Sequence, residues 1–242
     1  MFKRLALLFV VMLSVASVYA QFKPGIRAGY NLSGIHSISG NGTNGSAIIS
    51  STDAPVPDWG MVSGFHAGMA FEIPLKHSLY LQPAAVFSMQ GFKDEHKSGN
   101  DDVKRIFSLY YLQVPVNVQY KMDMGMVKLL FQAGPYAQLG LFGRQRYFKK
   151  DVSQDLNDDK YKKITMGSSS KDYVQPAINL GVGAGVGVQL AGLQLLAGYN
   201  LGLGTMTFKM DAKSRKYDMD MKTGGFMVTL TYLFGRDDVL AE

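Results

Sequence analysis

Residues 110–120 read Tyr110-Tyr-Leu-Gln-Val-Pro-Val-Asn-Val-Gln-Tyr120, and their hydrophobicity alternates with a period of two. Tyr110, Leu112, Val114, Val116, Val118 and Tyr120 share one face, and Tyr111, Gln113, Pro115, Asn117 and Gln119 share the other. Such alternation marks a β-strand, whose successive side chains point to opposite sides. The eleven residues, at about 3.3 Å each and tilted by about 45°, cover roughly 26 Å, close to the apolar thickness of a bilayer. A tyrosine at each end of the apolar face suits a membrane interface, with its ring on the apolar side and its hydroxyl among headgroups. The stretch reads as a membrane-crossing strand, a signal that is weak for one segment and is built up by repetition.

Seven further segments repeat the pattern. They lie at about 22–34, 60–74, 78–92, 126–142, 173–190, 193–208 and 222–234. The most regular is 173–190, where Val174, Ile178, Leu180, Val182, Ala184, Val186 and Val188 oppose Gln175, Asn179, Gln189 and four alternate glycines. Tight turns at Leu75–Ser78, Met122–Gly125 and Ala191–Gly192 alternate with polar stretches at about 35–59, 93–105, 143–172 and 209–221, read as long loops. An even strand number with short turns on one side and long loops on the other is the plan of an outer-membrane barrel, its short turns periplasmic. The fold class expected is all-β: an eight-stranded, antiparallel, up-and-down transmembrane barrel, monomeric, its outer face apolar. Its aromatic girdle would be formed by Tyr110, Tyr120, Trp59, Tyr232 and Phe234.

The N-terminus agrees with an exported protein. Lys3 and Arg4 precede an apolar run over Leu5–Val15, followed by Val18-Tyr19-Ala20. That is a secretory signal peptide over 1–20, with the barrel domain expected over 21–235 and a short polar tail over 236–242. Removing the first 20 of 242 residues leaves 222 and lowers the net charge from +6 to +4, too modest an excess to suggest nucleic acid. The chain has no cysteine, which excludes both a lipid-anchored cysteine and a disulfide framework.

Alternation alone leaves one question open: which face is inside. A soluble barrel of lipocalin type, also exported, turns its apolar face inward around a ligand. The membrane reading is favoured here by aromatics at the ends of the apolar face, by strand length beyond the usual soluble five or six, and by few charges on that face. The opposite face, rich in Gly, Gln and Asn, suits a small barrel whose interior is filled.

The same segments carry a family resemblance. Gly25-Ile-Arg-Ala-Gly29-Tyr-Asn31-Leu-Ser33, Leu81-Gln-Pro83 leading to Gly91, Tyr111-Leu-Gln-Val-Pro115 and Ala133-Gly-Pro-Tyr136 occur in order, ahead of the glycine-rich sixth segment and the aromatic eighth. In this the chain resembles the PorT-like family of outer-membrane β-barrel proteins over essentially all of 21–235. The resemblance implies an outer-membrane barrel; the family's namesake is associated with protein secretion. Two departures stand out. Gln113 and Ala84 occupy positions that are often acidic in the family, and the chain continues past Phe234.

The inward face holds few ionisable residues: Arg27, His66, Glu72 and Lys128. A buried charge needs a partner, so an Arg27–Glu72 pair with Lys128 nearby is expected, as a structural plug or as the gate of a narrow conducting path. Arg105, Arg144, Arg146, Lys149 and Lys150 cluster where two strands leave the outer girdle, at the level of lipopolysaccharide phosphates. Guanidinium groups grip phosphate in bidentate fashion; a solvated basic rim is the alternative. The four histidines, at 36, 66, 77 and 96, lack metal-ligand spacing, and no nucleophile, base and acid fall into a recognisable set. No catalytic residue, metal or cofactor is therefore expected. The functional reading is a non-enzymatic barrel acting structurally or by binding, through its loops or periplasmic rim, with outer-membrane lipid and protein partners of an envelope transport or secretion assembly. The competing classes are a rim-sited lipid hydrolase, a narrow pore and a soluble ligand-binding barrel.

Overall fold

Almost the whole described chain is extended. The computed structural model describes residues 22–42, 58–98, 101–150, 162–167, 174–175, 178–212 and 215–235. The strands are β1 (Lys23–Gly42), β2 (Asp58–Lys76), β3 (Leu79–Ser98), β4 (Asp101–Asp123) and β5 (Val127–Lys150), then β6 (Lys162–Ile164), β7 (Val174–Gln175), β8 (Ile178–Leu190), β9 (Leu193–Gly202), β10 (Met206–Ala212) and β11 (Arg215–Leu233). β1, β2, β3, β4, β5, β8, β9 and β11 pair in that order, each antiparallel to the next, and β1 pairs with β11 to close the ring. Closure is what lets strands enter hydrocarbon, because an open edge would leave its N–H and C=O groups without water or partners. The expected signal peptide and polar tail (1–20 and 236–242) lie outside the described residues.

Three short strands extend the barrel at one end. β10 continues β9 along β11 after a break at 203–205, where Leu203 N and Gly204 N both donate to Leu180 O (2.9 and 3.1 Å). β7 pairs with β10, and β6 pairs with β5 beyond the end of β8. Eight strands therefore form the barrel, with short pieces heightening its wall. At the other end, tight turns at 77–78, 124–126 and 191–192 join consecutive strands. Both described termini lie at this hairpin end, where Phe234 N donates to Pro24 O (2.7 Å).

The wall is taller than the alternating segments suggest. β3 runs to Ser98 and β4 begins at Asp101, so most of the stretch read as a loop at 93–105 is paired strand, as is nearly all of 209–221. Outside the bilayer neither face must be apolar, so period-two patterning disappears while backbone pairing continues. The β3–β4 ladder continues through this stretch, setting Asp94 opposite Arg105, Glu95 opposite Lys104 and Lys97 opposite Asp102.

Burial settles which face is inside. Ile26, Leu112, Val118, Val186, Leu195, Val228 and Leu230 are exposed on the outer surface, whereas Gln82, Gln119 and Gln138 are buried in the bore. That arrangement is the inverse of a lipocalin's. An apolar exterior around a polar interior is stable only where hydrocarbon replaces water.

Candidate functional site

The bore is filled in three tiers. Nearest the hairpin end, Glu72 Oε2 accepts from Lys121 Nζ (2.6 Å) and from Gln194 Nε2 (3.0 Å). Lys121 Nζ also donates to Gln189 Oε1 (2.8 Å) and lies 4.2 Å from the centre of the Tyr80 ring. Gln194 Nε2 reaches Gln189 Oε1 (3.0 Å), while Gln194 Oε1 accepts from Gln82 Nε2 (3.0 Å). Gln82 Oε1 in turn accepts from Gln119 Nε2 (2.9 Å) and from Arg27 Nη2. Arg27 Nε donates to Thr231 Oγ1 (3.1 Å), and Gln119 Nε2 also donates to Gln132 Oε1 (3.0 Å). These bonds visit every one of the eight barrel strands, and no member is more than 7 % exposed. The tier is a plug: long amide side chains from all sides meet across the bore and bond to one another, with Gln119 Oε1 left without a partner among the described residues.

The middle tier centres on His66. Its Nδ1 donates to Asn31 Oδ1 (2.7 Å), whose Nδ2 donates to Ser88 Oγ (3.1 Å), and its Nε2 is 3.1 Å from Thr229 Oγ1. With Nδ1 protonated, Nε2 accepts from the threonine hydroxyl. Hydroxyl, imidazole and amide stand in the order of a nucleophile, a base and an orienting group. The cavity beside them holds only about 30 Å³, walled by Arg27, Asn117, Tyr136 and Asn200 among others. That is space for one or two water-sized groups and not for a lipid or peptide.

The third tier is apolar. Phe92 and Phe107 stack with centroids 4.7 Å apart, and Leu109, Tyr111, Ile164, Met206 and Met221 complete a buried cluster inside the open end. Tyr111 donates its hydroxyl to Met206 Sδ (3.5 Å). Barrel interiors are expected to be polar, so this hydrophobic stopper is a departure, and the sequence pattern did not single it out. Its sign in the sequence is that Phe107, Leu109 and Tyr111 continue the inward alternation of β4 with large apolar groups.

Several expected site residues fall differently. Arg27 does not pair with Glu72. The β1–β2 register sets Arg27 opposite Gly68 and Glu72 opposite Lys23, an offset of four residues or roughly 13 Å along the strand. Lys121 takes the carboxylate from across the bore. Lys121 was missed because it stands just past Tyr120; continuing the inward series Tyr111, Gln113, Pro115, Asn117, Gln119 by one step reaches it. Lys128 is half-buried near the hairpin end, opposite Gln189 in the register, and forms no ion pair with a described residue. The inward glycines of β8 leave room for large groups from neighbouring strands, most clearly at Gly181, where an added Cβ would run into the Tyr136 ring and hydroxyl.

On the outer surface, Tyr110 stacks on Phe142 (4.6 Å) and on Phe87 (5.8 Å) near the open end. Tyr120, Tyr232 and Phe234 are exposed near the hairpin end, the last two in edge contact at 5.2 Å. Trp59 belongs to β2, but its side chain lies outside the described residues. Arg144 and Arg146 are exposed beyond the Tyr110–Phe142 stack. Arg105, Lys149 and Lys150 lie in β4 and β5, and their side chains are outside the described residues. Among the described residues, no group of three or more His, Asp or Glu side chains comes together as metal donors.

A closed antiparallel barrel with an apolar exterior, aromatic residues near both ends of that exterior and a hydrogen-bonded interior is an integral outer-membrane β-barrel. The chain belongs to the family described as outer membrane protein beta-barrel domain, whose profile matches residues 20–208. It is located in the bacterial outer membrane, and its hairpin end is the periplasmic one by the usual plan of such barrels. No curated protein matches the chain. Among solved structures it is similar to the outer membrane protein OprG of Pseudomonas aeruginosa, at 11 % identity and a TM-score of 0.49, covering 89 % of this chain and 97 % of that one. A major outer membrane protein of Thermus thermophilus gives 12 % identity and a TM-score of 0.39, with 88 % and 100 % covered. The outer membrane protease OmpT of Escherichia coli gives 10 % and 0.37, with 89 % and 96 % covered.

Proposed function

We propose that the protein is a non-enzymatic, non-conducting outer-membrane barrel that acts as a structural or binding component through its extracellular loops and periplasmic rim. The observation that carries this is the plug: one hydrogen-bonded layer drawn from all eight barrel strands, Arg27 through Gln82, Gln194 and Glu72 to Lys121, backed by the apolar stopper around Phe92 and Met221. A barrel spanned by such a layer has no use for its bore as a pathway, and its two ends are left to do the work. The ordered motifs shared with the PorT-like family support a place in that branch, and a setting within a transport or secretion assembly. Crosslinked pull-down from intact outer membranes tests the reading, combined with planar-bilayer recording of the purified chain. Specific envelope proteins recovered with a silent barrel are expected; stepwise ion conductance by the wild-type chain refutes it.

A second reading concerns the rim. Arg144 and Arg146 alternate outward on β5 past the girdle ring Phe142, and both are exposed. This supports contact with lipopolysaccharide phosphates, which would lie at that level. Replacing both with Gln is expected to weaken co-purifying lipopolysaccharide; an unchanged lipid load removes the reading.

A further inference from the structure

Among the described residues the bore fully buries two cations and one carboxylate, and the carboxylate is taken. Glu72 lies 2.6 Å from Lys121. Arg27 is equally enclosed, at 7 % exposure, yet its hydrogen-bond partners are the neutral oxygens of Thr231 and Gln82. Among the described residues no acid pairs with it. A guanidinium is always charged, and a buried charge without a countercharge is strongly disfavoured.

The same guanidinium borders the cavity of about 30 Å³ in the middle tier. Two other walls of that cavity carry unused polar groups. The Asn117 amide and the Tyr136 hydroxyl are buried, at 5 % and 6 % exposure, and neither is hydrogen-bonded by a described residue. A third wall presents Asn200, whose Nδ2 has the Met227 sulfur at 3.5 Å, a weak acceptor. His66 also lines the cavity, but both its ring nitrogens are engaged by Asn31 and Thr229. One fixed cation and three underused donors thus converge on a space whose described walls contain no carboxylate.

We propose that this cavity is a binding site for a small monovalent anion of the halide class, held by Arg27 and by the neutral donors of Asn117, Tyr136 and Asn200. Water alone would fill the space and satisfy the amides, but it would not supply the missing negative charge. The volume suits a monatomic ion with at most a companion water, and excludes phosphate esters and organic acids of any size. With the anion in place the buried charges balance: Arg27 against the ion, Lys121 against Glu72. With the amide plug on one side and the apolar cluster on the other, the ion would enter as the barrel folds.

The test uses bromide, which scatters anomalously. Full-length chain is refolded from urea into detergent in sodium bromide, and crystals are measured at the bromine edge. The expected result is an anomalous peak within hydrogen-bond reach of the Arg27 guanidinium, absent from Asn117→Asp, whose carboxylate would supply the charge internally. Arg27→Gln is a poor probe, since losing the bonds to Gln82 and Thr231 can prevent folding by itself. In solution, the urea midpoint of the wild type is expected to be higher in chloride than in gluconate at matched ionic strength, and that of Asn117→Asp to be the same in both. Gluconate is too large for the cavity. A bromide peak that persists in Asn117→Asp overturns the proposal. So does a cavity occupied by water with equal midpoints in the two salts, and so does a peak without a midpoint difference, which would mean binding at crystal concentration only.

Discussion

Glu72→Gln is the substitution that weighs most directly on the plug. The carboxylate and the Lys121 ammonium are 4 % or less exposed, so solvent does little to screen them. Removing one partner of such a pair costs about 3–5 kcal/mol, because the remaining charge stays buried and uncompensated. Two features move the expectation to the lower end. Lys121 keeps the Gln189 oxygen at 2.8 Å and the Tyr80 ring at 4.2 Å, and a Gln at position 72 still presents one oxygen acceptor. The expected loss is therefore about 3 kcal/mol, or about two orders of magnitude in the folded-to-unfolded ratio. Lys121→Met should cost a similar amount by stranding Glu72. The double variant should be more stable than the sum of the singles implies, by at least about 1 kcal/mol, because it removes both charges together. Urea unfolding in lipid vesicles, followed by circular dichroism and by heat-modifiability on gels, gives these numbers. If Glu72→Gln lies within about 0.5 kcal/mol of the wild type, or if the cycle is additive within that margin, the assignment of this ion pair is wrong. A parallel cycle between Glu72 and Arg27 should show the weaker coupling of the two.

Other consequences can be measured in the same system. Val116→Arg puts a charge on the hydrocarbon face midway between Tyr110 and Tyr120 and should destabilise the barrel by about 2–4 kcal/mol; a neutral outcome in vesicle unfolding would contradict the assignment of that face. Gly181→Ala drives a methyl into the Tyr136 ring and should cost about 1–3 kcal/mol, and the paired Gly181→Ala, Tyr136→Leu variant should recover part of the loss. Ala191 holds a φ of +50° in its two-residue turn, so Ala191→Gly should raise stability by about 1 kcal/mol in urea titration.

Much of the architecture is readable from spacing alone. The eight period-two segments, the three tight turns and the Tyr110–Tyr120 span all mark crossing strands, because hydrocarbon on one side and a packed bore on the other impose alternation at every residue. Beyond the membrane that constraint lapses. The outer ends of β3, β4, β5 and β11 accordingly read as loops, although the ladder continues to Ser98 and Lys150. The plug is legible only in its ingredients. Alternation places Gln82, Gln119, Gln132, Gln189 and Gln194 on the inward face, but nothing in their order says that they meet one another.

Period two determined the strands, their number and, together with strand length and aromatic placement, the membrane as their solvent. Those are local properties: each follows from which side of one strand a residue occupies. Depth and partnership are not local. They depend on the register between strands and on which side chains reach across the bore, and a shift of four residues decides whether Arg27 or Lys121 meets Glu72. Only the closed barrel sets that register, and so only the tertiary structure decided that this bore is shut by amides at one end and by Phe92, Phe107 and Met221 at the other.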